Sequence, residues 1–136
     1  MIELKIPGAP VGKQRPRVTR NGTYTPQKTV EYEKLVRDIY KINRFPKLEG
    51  YLSMSVSAYY PIPKSTSKKR KEMMLKGILL PDKKPDADNV LKGICDALNT
   101  IAYDDDKQIV HMDIEKYYSE EPHVLIRLEK AHGEGE

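Results

Sequence analysis

The chain is 136 residues long, a length typical of one domain, and carries a formal net charge of +4 with 38% hydrophobic and 32% charged residues. A single cysteine excludes a disulfide-stabilised scaffold, and the absence of any run of about 18 apolar residues excludes a membrane-spanning protein. We therefore expect a cytoplasmic domain with a small hydrophobic core, and the uneven clustering of lysines and arginines favours a polyanionic partner.

The first third of the sequence predicts one strand, a basic loop and one helix. Apolar residues alternate with charged ones over residues 2–6, the period-two pattern of a half-buried strand. No periodicity follows over residues 11–25, but Asn21-Gly22 is a tight-turn signal that would fold this basic loop back on itself. Thr25-Pro26 predicts an N-cap followed by proline in the first helical position, and apolar residues at helical spacing extend this helix to about residue 42.

The middle of the sequence predicts a central strand and two helices. Apolar residues alternate with serines and a tyrosine over residues 52–60, which predicts a strand inside a sheet. Ser65 is the expected N-cap of a short basic helix over residues 66–76. Residues 82–88 should be extended, because a proline within them disfavours helical geometry in the preceding residue, and a third helix should run over residues 89–101.

Two strands complete the predicted elements. Residues 110–114 and 124–128 both alternate between apolar and polar side chains, and the short turn between them predicts a hairpin. The fold class that fits this order is α+β: a two-layer single domain with a mixed, mostly antiparallel sheet and helices on one face. One domain should fill residues 1–131, and residues 132–136 should form a disordered tail.

A group of aspartates carries the chemistry that the sequence indicates. Side chains alternate in an extended segment, so Asp86 and Asp88 should point to the same side, where their like charges repel unless a cation lies between them. Oxygen ligands without a neighbouring His or Cys suit Mg²⁺ or Mn²⁺, and Mg²⁺ takes one or two carboxylates while leaving positions for water and phosphate. A third carboxylate would come from the run Asp104-Asp105-Asp106.

Lys92 follows Asp88 by four residues and should share its helical face, where it could neutralise charge that develops on a phosphate. Each feature also has a plainer interpretation. A lone aspartate at position 86 or 88 could be a helix N-cap, the aspartate run could be an exposed turn, and Lys92 could form a surface pair with Asp96. Only their combination favours a catalytic metal site.

Several motifs together resemble the signature of RusA-type Holliday junction resolvases. They are Lys84-Pro85-Asp86-x-Asp88-Asn89-x-x-Lys92, Asp96-Ala97-Leu98-Asn99 and Asp105-Asp106-x-Gln108-Ile109. The N-terminal region of this family is similar to Gly12-Lys13-x-Arg15-Pro16-Arg17 and Tyr24-Thr25-Pro26, so the resemblance covers most of the chain, although only the central block is specific. The resemblance implies a metal-dependent endodeoxyribonuclease that resolves four-way DNA junctions by paired symmetric nicks in recombination and repair.

By the same resemblance, the essential residues would be the metal-binding carboxylates Asp86, Asp88 and Asp106 and the basic residue Lys92. Asp105 stays a second candidate ligand beside Asp106, because aspartates stand in a row here. The family acts as a homodimer with magnesium or manganese, which implies two equivalent sites that nick opposing strands. A two-fold dimer fits the symmetry of a four-way junction.

A four-way junction offers phosphate along its arms, so contacts from basic residues would supply most of the affinity. The candidate DNA-binding residues are Lys13, Arg15, Arg17, Arg20, Lys69, Arg70, Lys83 and Lys84. Tyr24 or Phe45 could stack on an unpaired base, although core packing is the commoner role. No phosphate-binding GxxxxGK motif occurs, so we expect no nucleotide cofactor. Two alternatives stay open: a non-catalytic DNA-binding protein with a structural ion, and a nuclease for flaps or ordinary duplexes.

Overall fold

The computed structural model describes residues 1–14, 16–24 and 26–131, with only the backbone of Arg17 and Tyr24. Within these residues the elements are β1 (Ile2–Pro7), β2 (Arg17–Thr19), β3 (Gly22–Tyr24), α1 (Gln27–Ile42), β4 (Leu52–Pro61), α2 (Lys68–Leu75), α3 (Ala87–Leu98), a 3₁₀ helix (Asp106–Gln108), β5 (Ile109–Ser119) and β6 (His123–Lys130). None of the helices described here combines the length and the apolar character that a bilayer crossing requires. The predicted cap Thr25 and the predicted tail 132–136 lie outside the described residues.

The main sheet has the strand order β1-β6-β4-β5. β6 is antiparallel to both β1 and β4, whereas β5 is parallel to β4, so the sheet is mixed and mostly antiparallel, as predicted. β4 lies inside the sheet, which is also confirmed. The predicted final hairpin is wrong, because β4 lies between β5 and β6 and residues 120–122 cross its end. The backbone N–H and C=O groups of a strand as long and as buried as β4 need hydrogen-bond partners on both sides. β5 and β6 supply these partners.

The hydrophobic core lies between one face of the sheet and two helices. Alternate residues of β1, β4 and β6 are buried on this face, as at Leu4, Val56 and Ile126. α1 and α3 cover the same face with side chains such as Val36 and Ile94, which belong to the same cluster. Each fully buried aliphatic side chain of this kind contributes about 1.5–3 kcal/mol. The two helices are therefore fixed against the sheet, and α2 packs separately beside β5.

The ends of the first two helices differ from the prediction. Pro26 occupies the N-cap position of α1, so the first helical residue is Gln27 rather than the proline. α2 is capped by Ser67, which accepts a hydrogen bond from the backbone N–H of Arg70, and not by Ser65. The earlier serine cannot take this role because residues 63–66 form a turn that precedes the helix.

The basic loop folds back on itself across Asn21-Gly22, as predicted. β2 and β3 pair antiparallel with Thr19 opposite Gly22, whose φ of 120° suits glycine. Val18 in this hairpin is 82% exposed, which shows that the hairpin extends away from the core.

Candidate active site

A groove of about 800 Å³ lies between the loop of residues 10–14 and the start of α3. Besides the loop, the lining residues are Lys28, Lys84, Pro85, Asp86, Asp88 and Asn89. Gly12 allows a close approach, because a Cβ at this position would lie only 2.9 Å from the Cβ of Pro85. The backbone N–H of Lys13 donates to the carbonyl oxygen of Asn89 at 2.9 Å. The loop is therefore fixed over the first turn of α3, and the groove is a formed feature of the fold.

Asp86 and Asp88 lie at the start of α3, but not in the extended arrangement that we predicted. Asp86 is the N-cap residue (φ −67°, ψ 150°) and Asp88 belongs to the first turn, since α3 begins at Ala87 rather than at residue 89. Pro85 disfavours helical geometry only in the residue before it, so the helix can begin directly after Asp86. Alternation along a strand therefore does not relate the two carboxylates, although both line the same groove.

No hydrogen bond or ion pair from the described residues engages either carboxylate. The side chain of Asp86 makes no capping hydrogen bond, so the N-cap interpretation holds for its backbone and fails for its carboxylate. Among the residues that the structure describes, Asp86 and Asp88 have no ion-pair partner, and both are exposed. A capping aspartate usually contributes about 1 kcal/mol. A carboxylate that forgoes this contribution is available to a ligand.

The start of α3 is anchored to the sheet by Tyr60. This residue lies at the end of β4 and donates its hydroxyl to the carbonyl oxygen of Pro85. Burial, and to a smaller extent the charge of Asp86, raise the pKa of Tyr60 to about 12. The phenol consequently stays protonated at neutral pH and remains a donor. Asp86 follows directly after this anchored carbonyl group, which limits its movement.

Lys92 lies one helical turn after Asp88 on an exposed side of α3, as predicted. Its Nζ is 3.8 Å from Oδ2 of Asp96, so the surface pair of the plainer interpretation is present. The Lys92 side chain is 65% exposed, and exposed pairs at this spacing contribute only about 0.3–0.5 kcal/mol. Such a contact biases the resting position of the ammonium group but does not prevent it from reaching a phosphate.

Asp106 is presented by a loop that hydrogen bonds hold to the rest of the fold. Gln108 accepts from the backbone N–H groups of Asp104 (2.9 Å) and Asp105 (3.1 Å) through Oε1, and its Nε2 donates to two carbonyl groups before β4. The backbone N–H of Asp106 donates to Oδ1 of Asn99 at 3.1 Å. Asn99 follows the last helical residue, so α3 ends before the predicted residue 101. The loop is thereby tied to the C-terminal end of α3.

The neighbouring aspartates in this loop have different surroundings. Asp104 pairs with Lys47 at 2.6 Å and is 79% exposed. Asp105 caps the 3₁₀ helix and accepts the backbone N–H of Lys107 at 2.9 Å. Asp106 has neither of these contacts, which supports it over Asp105 as a ligand candidate.

The charges around Asp106 repel its carboxylate. Burial raises the pKa of Asp106, and the neighbouring carboxyl groups of Asp105 and Asp96 raise it further, while Lys92 opposes them. The pKa of Asp105 is lowered instead, chiefly because the backbone N–H of Lys107 donates to it. Asp106 therefore lies near Asp96 and Lys92, where an additional cation would relieve the repulsion.

The predicted ligands do not converge on one point. In the described part of the chain, no group of at least three His, Cys, Asp or Glu side chains is arranged to hold a metal ion. Asp86 and Asp88 lie at one end of α3 and Asp106 is tied to the other, and a helix of 12 residues is about 18 Å long. The donor set at the groove still fits Mg²⁺, because this ion commonly takes one or two carboxylates and fills its other positions with water and phosphate.

Exposed lysines also line the groove. Lys84 was predicted from the sequence, whereas Lys28 was not, because a single lysine on the exposed side of a helix carries no distinctive signal. Lys83 lies outside the groove lining, with its Nζ 5.4 Å from the ring centroid of Tyr118. Lys13 lines the groove but differs from the others, because carboxylates on α1 and α3 already bind its ammonium group.

Of the remaining candidate DNA-binding residues, those that the structure describes lie outside the groove lining. Those described are exposed and lie on the β2–β3 turn and on α2: Arg20, Lys69 and Arg70. Outside the described residues lie Arg15 and the side chains of Arg17 and Tyr24. Phe45 packs edge to face on Tyr40, with ring centroids 5.4 Å apart, so it contributes to the core rather than to a base-stacking surface.

Comparison with known proteins agrees with this arrangement of residues. Residues 7–129 match the family model described as Endodeoxyribonuclease RusA, and this range includes every residue of the groove. The uncharacterized protein YqaN of Bacillus subtilis (strain 168) is 41% identical over 138 residues, which cover 96% of this chain and 96% of that protein. The chain therefore belongs to the RusA family of endodeoxyribonucleases.

Proposed function

We propose that this endonuclease resolves four-way DNA junctions by metal-dependent hydrolysis of phosphodiester bonds, in DNA recombination and repair. The observation that carries the proposal is the pair of uncommitted carboxylates, Asp86 and Asp88, in a groove that exposed lysines also line. A phosphodiester anion can lie beside two carboxylates only if a cation separates the like charges. Lysines in the same groove support a polyanionic ligand rather than a site for a free metal ion alone.

The residues divide the chemical tasks. Asp86 and Asp88 would hold Mg²⁺, with Mn²⁺ as a substitute, and Asp106 would become a third ligand only if the loop that carries it moved from the C-terminal end of α3 toward the groove. When bound, the ion activates water and polarises a phosphoryl oxygen. Lys92 faces the scissile phosphate and neutralises charge on the leaving oxygen. Asp105 keeps its capping role and holds the loop that carries Asp106.

The proposed substrate follows from the charge of the groove and from a homodimer, which is part of the proposal. A homodimer has two equivalent grooves, which suit nicks in two strands of a junction. Lys28 and Lys84 contact phosphates inside each groove, and phosphate contacts of this kind make affinity dependent on salt. The arms contact Arg15, Arg17, Arg20, Lys69, Arg70 and Lys83. The endonuclease domain spans residues 1–131, acts in the cytoplasm and needs no nucleotide cofactor.

The direct test is to incubate the full chain with a synthetic four-way junction and with a linear duplex of the same sequence. Reactions contain Mg²⁺, Mn²⁺ or a chelator, and denaturing gels map the nicks in each strand. We expect paired, symmetrically placed nicks in the junction, no nicks with the chelator, and little cleavage of the duplex. A calorimetric titration of the protein with Mn²⁺ in the absence of DNA measures metal binding separately from activity.

Other outcomes would select an alternative. Equal cleavage of flaps, duplexes and junctions would identify a general nuclease with the same chemistry. Tight junction binding without nicks under every metal condition would identify a non-catalytic DNA-binding protein, in which any bound ion is structural. Sedimentation analysis of the same sample tests the homodimer independently of cleavage.

A further inference from the structure

Lys13 lies between α1 and α3 rather than in open solvent. Its Nζ is 2.9 Å from Oε1 of Glu33 on α1 and 3.3 Å from Oδ2 of Asp96 on α3, and its side chain is only 18% exposed. Its backbone N–H bonds to Asn89 in the first half of α3. This single loop residue is therefore bonded to two helices through both its backbone and its side chain.

Carboxylates within the protein already neutralise the charge of Lys13. Burial lowers the pKa of Lys13, but the carboxylates of Glu33 and Asp96 raise it by more, so the ammonium stays charged. The next residue, Gln14, donates its backbone N–H to Oγ1 of Thr29 on α1, which is 2% exposed. The loop of residues 10–14 is therefore held on the same two helices at consecutive positions.

Asp96 connects Lys13 to Lys92. The same carboxylate oxygen lies 3.3 Å from Nζ of Lys13 and 3.8 Å from Nζ of Lys92. Lys13 meets this oxygen from the buried side, and Lys92, which is far more exposed, meets it from the solvent side. A carboxylate fixed by one lysine restricts where the ammonium group of the other comes to rest.

We propose that Lys13 is a positioning residue and not a phosphate contact: it fixes the loop of residues 10–14 on α1 and α3 and, through Asp96, sets the position of Lys92. The inference rests on the proposed function, in which Lys92 faces the scissile phosphate. It replaces the expectation that Lys13 binds DNA, because a cation already paired with two carboxylates releases few counterions from DNA. Lys28, which is exposed and has no ion-pair partner among the described residues, meets phosphate in the groove together with Lys84.

The test compares Lys13→Gln, Lys28→Gln and Lys34→Gln in the full chain. Junction binding is measured over a salt series, and nicking is measured with Mg²⁺ at saturating junction. Lys13→Gln should leave the slope of log K against log salt unchanged and lower the nicking rate by about 100-fold, chiefly because the loop of residues 10–14 is no longer fixed on both helices and a shift of about 1 Å at an active site can have this effect. Lys28→Gln should reduce the slope by about 0.9, the value for one lost phosphate contact. Lys34 is the matched control, because it pairs with Asp38 on the surface, so Lys34→Gln should change neither quantity.

Asp96→Asn provides a second variant, because it keeps the pair between Lys13 and Glu33 and weakens the pairs of Asp96 with Lys13 and with Lys92. It should lower nicking at saturating junction while the salt slope and the melting temperature stay near those of the wild type. A slope reduced by about 0.9 in Lys13→Gln, with full nicking, would show that Lys13 contacts phosphate and would overturn the inference. If the wild type nicks no junction, the proposed function fails, yet the salt slopes still decide whether Lys13 contacts DNA.

Discussion

Replacement of Asp86 or Asp88 by asparagine should separate the chemistry of the site from the stability of the fold. Asp86 occupies the N-cap position of α3 without capping it, and neither carboxylate has an ion-pair partner among the described residues. The loss in unfolding free energy is therefore limited to the attraction between one charge and the positive end of the helix dipole, about 0.3–1 kcal/mol. Asparagine is itself a favoured N-cap residue, which offsets part of this loss at position 86.

The same substitutions should reduce nicking far more than they reduce stability. Removal of one preorganised group that stabilises the transition state commonly lowers the rate by about 10²–10³-fold, or about 2.7–4 kcal/mol. Loss of a metal ligand should have at least this effect. Junction binding should persist or become tighter, because a negative charge near the phosphates is removed.

Urea unfolding, Mn²⁺ titration and junction nicking together test this reasoning. Asp86→Asn and Asp88→Asn should unfold within about 1 kcal/mol of the wild type, and both should lose Mn²⁺ affinity and nicking. Asp38→Asn, on the exposed side of α1, is the matched control and should retain both. Full nicking by both groove variants would refute the assignment of the site. A loss of several kcal/mol in stability would instead refute the conclusion that these carboxylates are uncommitted.

Other substitutions test how the loops are held. Gly12→Ala should lower both the melting temperature and the nicking rate, because its Cβ would lie 2.9 Å from that of Pro85, an overpacking that costs about 1–3 kcal/mol. Gln108→Ala should cost about 1–3 kcal/mol in urea unfolding, because it removes the hydrogen bonds that shape the loop around Asp106. Burial, and then the Asp105 carboxyl, raise the pKa of Asp106 above 3.8, so this group destabilises the fold as pH rises through its raised pKa. Asp106→Asn should therefore raise the melting temperature at neutral pH in metal-free buffer, and the gain should vanish in acid.

Hydrophobic periodicity was sufficient to predict the elements of the fold but not the order of the strands. Alternation identified all four strands of the main sheet, helical spacing identified α1 and α3, and a serine cap signal indicated the short helix α2. The order of strands depends on which edges pair, and the pattern within β5 and β6 is the same whether they pair with each other or with β4. A short connection favours a hairpin between β5 and β6, but here both strands pair with the long buried strand β4 instead. Helix ends were displaced because several residues near each boundary can cap.

Residue type predicted the site more accurately than geometry did. Asp86, Asp88 and Lys92 lie at the start and in the first half of α3, although the last two residues of the extended segment expected there are helical. Clustering of basic residues predicted that Lys13 binds DNA, but the sequence does not reveal that Glu33 and Asp96 lie beside Lys13 in the fold. Asn99 and Gln108 belong to the quoted motifs without a role in the sequence argument. Their roles depend on contacts with distant segments, as when Gln108 reaches the carbonyl groups before β4.

The contacts at the start of α3 explain how Asp86 can occupy the N-cap position without making a capping hydrogen bond. Tyr60 holds the carbonyl group of Pro85 from the sheet, and Gly12 lets the loop of residues 10–14 pack on Pro85 and Asn89 from the other side. Because these tertiary contacts fix the start of the helix, a capping hydrogen bond of about 1 kcal/mol is not needed there. Asp86 is consequently free to face the groove. A residue that capped α3 at this position would stabilise the fold and remove the ligand, which is the usual conflict between stability and function at an active site.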